Sequence, residues 1–183
     1  MKEDSMLNDE EKMRADEKKL KEELLEIYEK NKKAFIDAEE TAAEMRFFAA
    51  PTLEHRDALE HIMRYMERTK DGNITRSALK ELENAKGHEV RAYYDVVDYY
   101  SILVRDDINQ VLQRVSNRKI RKNWKEYSDV KTTMYDMSEK IKNVRKQKRN
   151  DMEVIEKYEE DFEYFHDQHK QFINEILPML NSK

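Results

Sequence analysis

The chain has 183 residues, of which 41% are charged and 38% hydrophobic, with two Gly, two Pro and no Cys. So few turn-forming residues exclude the many tight connections of a sandwich or barrel and the glycine-rich phosphate loops of nucleotide-binding α/β folds, and the lack of Cys excludes disulfide scaffolds, cysteine nucleophiles and thiolate zinc sites. The charge balance, 35 basic against 40 acidic residues for a net of -5, argues against wholesale coating of nucleic acid but leaves room for a local basic patch.

In chain order, residues 1–9 read as a disordered N-terminus and residues 10–183 as a single helical-bundle domain. Between Glu10 and Ala49, Leu20, Leu24, Ile27, Ala34, Ala38, Met45 and Phe48 recur at alternating spacings of three and four, with polar Asn31 and Thr41 in seam positions. That is the heptad stripe of a long first helix. Ala50-Pro51-Thr52 interrupts it, and a second helix is expected from about Thr52 to Thr69. Lys70-Asp71-Gly72-Asn73 is the strongest turn signal, and the third helix starts between Ile74 and Ser77.

The third helix carries Val90, Tyr93, Val97, Tyr100, Val104, Ile108, Val111 and Val115 on one face, with Gly87 as a weak point. At 1.5 Å per residue it extends for roughly 60 Å. The pattern stalls near Ser116-Asn117, restarts at Tyr127 and runs through Met134, Ile141, Ile155, Phe162 and Phe172 to Ile176, where Pro178 ends it. A compact bundle favours two helices meeting at Arg149-Asn150 over one continuous helix. The fold expected is all-α: an elongated antiparallel helical bundle with long coiled-coil-like helices and no long internal repeat. No apolar run approaches the roughly 20 residues of a membrane span, and the start MKEDSMLNDEEK lacks the apolar core of a secretory signal. The expectation is a soluble, cytoplasmic protein with no membrane partner.

Two strings carry chemistry. The first is His55-Arg56-Asp57-Ala58-Leu59-Glu60-His61 near the start of the second helix. A neutral His can take a 2′-hydroxyl proton or, once protonated, return one to a leaving oxygen, while an Arg fork stabilises phosphate charge. The second places Asn84, His88, Arg91 and Asp95 within about 60° of one another on the third helix, opposite the valine stripe. Each has a plainer reading as a solvated helix face, the second with an i,i+4 Arg91/Asp95 pair.

Arg56 followed by Asp57 and then His61 resembles the R-x4-6-H motif of the HEPN superfamily, and the pairing with His88-x-x-Arg91-Ala92-x-x-Asp95 is similar to some of its bacterial and archaeal members. The resemblance spans about residues 45–115. It implies an all-α bundle, often a metal-independent ribonuclease with a composite site across a dimer, with Arg56 and His61 as catalytic residues and Asp57, Asn84, His88, Arg91 and Asp95 in support. One departure is that the motif lies in the second helix rather than late in the domain.

Glu163-x-x-His166 matches a single element of the di-iron bundles, which need two, so no metal or other cofactor is expected; His169 reads as a partly buried structural histidine. Arg118, Lys119, Arg121 and Lys122 around Trp124 form a basic cluster that is a candidate for holding RNA phosphate and stacking a base. The expected partners are RNA or a nucleotide and a second copy of the chain. The rival expectation is a non-enzymatic coiled-coil adaptor that binds a partner protein.

Overall fold

The computed structural model describes residues 2–42, 48–146 and 152–182. It is an all-α helical bundle without a strand among those residues: α1 (Lys2–Thr41), α2 (Ala49–Arg68), α3 (Arg76–Leu112), α4 (Asn117–Asn123), α5 (Tyr127–Lys146), α6 (Met152–Gln171), a π-helical turn (Phe172–Ile176) and α7 (Leu177–Asn181). No helix among them is long and apolar enough to cross a membrane.

Helix α1 begins at Lys2, inside the segment whose terminal position predicts disorder. The reason is local: residues 2–41 contain neither Gly nor Pro and are rich in Lys, Glu, Leu, Met and Ala, the strongest helix formers. Pairs one turn apart, such as Arg14–Glu10 at 3.1 Å and Lys30–Glu26 at 3.2 Å, each add about 0.3–0.5 kcal/mol. Pro51 sits in the first turn of α2, where its missing N–H leaves no bond unmade. Gly72 turns the chain between α2 and α3 with φ of 78°, a left-handed conformation that L side chains rarely adopt. Thr75 then starts α3 through its hydroxyl, which accepts from the Ala78 N–H at 3.1 Å.

The stall at Ser116-Asn117 proves to be a short separate helix: Ser116 caps α4, accepting from Lys119 N, and the chain leaves helical geometry at Trp124. The expected junction at Arg149-Asn150 falls outside the described residues. Pro178 does not end the last helix. It occupies the opening turn of α7, where its lack of an N–H is tolerated, after a π-helical turn has re-registered the backbone hydrogen bonds.

The chain divides into two compact units, Met1–Phe35 with Phe47–Asp95, and Ile36–Arg46 with Val96–Lys183. In the first, Tyr65, Ala78 and Leu82 form a buried cluster against Leu20 and Leu24 of α1. Lys86 reaches Glu23 at 2.7 Å, and the Tyr65 hydroxyl donates to Glu17. Ala78, Ala85 and Ala92, seven residues apart on α3, are all fully buried. A row of side chains this small lets neighbouring helices approach closely. In the second unit the core is aromatic: Tyr100 packs on Phe162 at 5.0 Å and Trp124 on Phe172 at 5.8 Å, with Val104, Ile108, Tyr158 and Phe165 buried around them.

A candidate active site on helices α2 and α3

The tight turn at Gly72 lays the first half of α3 antiparallel to α2 within the first unit, so that position 54 faces 88 and position 61 faces 81. Each facing pair is a carboxylate and an imidazole. His61 Nδ1 lies 2.6 Å from Glu81 Oε2, and His88 Nδ1 lies 2.8 Å from Glu54 Oε2. Each carboxylate also holds a guanidinium: Arg68 on Glu81 at 2.8 Å and Arg91 on Glu54 at 2.9 Å. Between the two chains of contacts the His61 and His88 rings stack, with centroids 5.2 Å apart and planes 28° apart.

The carboxylates determine which imidazole nitrogen carries the proton. Glu81 is buried, and the hydrogen bond from His61 holds its carboxyl below the usual range against the opposing effect of desolvation, with the charges of Arg68, His61 and Arg64 adding to the depression. An ionised Glu81 accepts, so Nδ1 of His61 carries the proton and Nε2 keeps its lone pair in the neutral ring. At His88, Nδ1 is approached by both Glu54 Oε2 and Arg91 Nη2, the latter at 2.7 Å. One nitrogen cannot donate and accept at once; a proton on Nδ1 satisfies the carboxylate, and Arg91 keeps its own bond to Glu54 through Nε.

Arg56 does not reach His61. It folds onto its neighbour, donating to Asp57 Oδ1 from Nε at 3.0 Å and Nη2 at 2.7 Å, and stays largely exposed. Asp57 ties it to the site electrostatically. Its carboxyl is lowered first by the Arg56 hydrogen bond, against desolvation, and then by the charges of Arg56, His88 and His61. Of the residues expected in support, His88 and Arg91 join the stacked pair, Asn84 lies half-buried one turn before His88, and Asp95 is half-buried one turn beyond Arg91. A third pair, half-buried His55 with buried Glu89 at 2.8 Å, is clamped from α1 by buried Asn31 Nδ2 at 3.1 Å, with Phe35 packed on the imidazole; it stands apart from the stacked rings.

Sequence reasoning missed Glu54, Glu81 and Arg68, yet a signal existed. Both helices carry Glu-x3-Ala-x2-His-x2-Arg, as Glu54/Ala58/His61/Arg64 and as Glu81/Ala85/His88/Arg91. Folded antiparallel, a Glu seven residues before a His on each helix must meet the other helix's His. The same rule places Ala58 and Ala85, both fully buried, on the contact between the pairs.

The basic cluster of the second unit is arranged differently from its expectation. Trp124 is 2% exposed, packed by the Tyr127 and Phe172 rings, which leaves too little of it accessible for a base to stack on. Burial of the largest apolar side chain outweighs the pull of its charged neighbours toward solvent. Lys119 donates to the Ser182 carbonyl at 2.6 Å, while Arg118, Arg121 and Lys122 are exposed on α4. His169 is partly buried and bonded through Nε2 to Asp107 at 3.0 Å. Among the described residues no group of three or more His, Asp or Glu side chains is gathered to hold a metal ion. Compared with known proteins, the chain matches no family model, no curated protein and no solved structure.

Proposed function

We propose that the protein is a metal-independent endoribonuclease of HEPN-like type, working as a homodimer, with His61 and His88 as its acid–base pair. The observation that carries this reading is the stacked pair itself: two imidazoles side by side, each anchored at Nδ1 to a carboxylate that an Arg holds in turn. In the reaction, His61 Nε2 takes the proton of a 2′-hydroxyl and the freed oxygen attacks the adjacent phosphorus. The bond from phosphorus to the 5′-oxygen breaks, and protonated His88 delivers a proton from Nε2 to that leaving oxygen. The products are a 2′,3′-cyclic phosphate and a 5′-hydroxyl. Arg56, exposed and held on Asp57, neutralises charge on the non-bridging oxygens in the transition state. The R-x4-6-H resemblance supports the same substrate.

The test is cleavage of single-stranded RNA by nuclease-free protein. Both His61→Ala and His88→Ala should slow it by about 10²–10⁴-fold, the usual worth of a general acid or base, with unchanged circular dichroism and no loss of wild-type activity to chelator. Cleavage indifferent to both substitutions removes the mechanism. A second reading, a non-enzymatic adaptor, is favoured by one feature, the exposed stripe of Leu59, Met63 and Met66 on α2. It predicts no cleavage by the wild type and capture of a partner helix that Met63→Glu abolishes.

A further inference from the structure

The second unit contains a half-open cavity of about 510 Å³ between α3, Trp124 and α5, remote in sequence from the His61/His88 pair. We propose that it is a binding site for a small monocarboxylate with an apolar body. Its size lies within the range of ordinary small-molecule sites. Ile108, Val130, Met134 and the rings of Trp124, Tyr127 and Tyr135 make most of its wall. Such a surface gains from covering by hydrocarbon, and Tyr135, 64% exposed, is the part left most open to solvent.

Arg105, Lys131 and Asp106 set the charge of the occupant. Arg105 is half-buried, and its Nε is fixed on the Ser101 carbonyl at 3.1 Å, which holds the guanidinium plane while its terminal nitrogens make no bond among the described residues. Two parallel N–H groups on a held plane suit the two oxygens of a carboxylate. The Trp124 indole Nε1 is buried with no acceptor among the described residues, an unmet donor of the kind that costs about 1–3 kcal/mol. Lys131 adds a second cation at the wall and Asp106 one anion, which leaves the cavity with one net positive charge. A monoanion balances that charge. A nucleoside monophosphate would bring up to two negative charges and a polar sugar to a wall that is mostly apolar.

The chain has a single Trp, so its emission and its one indole N–H resonance both report directly on this wall. Full-length protein is titrated with decanoate below its micelle concentration, with decanol and adenosine monophosphate as comparisons. Decanoate should shift the Trp124 emission saturably and perturb the indole N–H resonance, and decanol should bind at least about tenfold more weakly, the worth of one charge-assisted contact. Arg105→Gln, or the exposed Lys131→Gln should the first variant fold poorly, should weaken decanoate by a similar factor while RNA cleavage is unchanged. Equal binding of decanol and decanoate, tighter binding of adenosine monophosphate, no saturable change with decanoate, or affinity untouched in the folded variants would each overturn the proposal.

Discussion

At Glu81 a single carboxylate links folding to proton handling, because it is buried, accepts from His61 and carries Arg68. Its folded-state carboxyl is lowered, so the stability it contributes is fully present above the ordinary glutamate value of about 4.3 and is lost as pH falls through the lowered folded value. Glu81→Gln keeps a hydrogen-bond acceptor but not the charge. The wild type should therefore exceed the variant by about 1–3 kcal/mol near neutral pH, the cost of breaking a buried charged hydrogen bond. That gap should shrink steadily below pH 4, as read by urea midpoints across the range. A constant gap down to pH 2 would mean that the charge contributes nothing. The same variant should slow RNA cleavage even at neutral pH, since a Gln amide can also donate to Nδ1 and leave His61 in the wrong tautomer.

Helices α1, α2 and α3 meet through alanines as well as through the Tyr65 and Leu82 cluster. Ala34, Ala58, Ala78, Ala85 and Ala92 are each fully buried, and Leu82, 2% exposed, supplies bulk beside them. Contacts this close leave no room for added methylenes. Ala85→Leu should cost about 1–3 kcal/mol by overpacking and lower the melting temperature. It should also pull His61 away from His88, because Ala85 lies one turn before His88 and one turn beyond Glu81 on α3. Lys80→Ala on the exposed side of the same helix removes only a surface pair with Glu83 and should move the melt by less than about 0.5 kcal/mol. Comparable losses for the two substitutions would contradict the close-packed contact.

For the whole molecule the open question is assembly. Leu59, Met63 and Met66 on α2 are each more than half exposed, at spacings that align them along one face. In the dimer we propose, light scattering at micromolar concentration should give twice the mass of the chain, and Met63→Glu should return it to one. A single-chain mass for the wild type would remove the dimer and with it any composite site. RNA cleavage by such a monomer would then assign the reaction to one chain.

The sequence by itself determined the helical class, most helix positions and the turn at Gly72, because these depend on propensity, apolar period and backbone freedom within a few residues. It also singled out Arg56, His61, His88 and Arg91, since residue type and helical spacing are local properties. Only the tertiary structure decided that His61 stacks on His88, that Glu81 and Glu54 orient them across helices, that Arg56 turns to Asp57, and that Trp124 is buried. Each of these depends on which helix lies against which. A one-helix pattern gives the face a residue occupies but not the side chain that meets it. The repeated Glu-x3-Ala-x2-His-x2-Arg acquires its meaning from the antiparallel pairing that sets each Glu against the other helix's His.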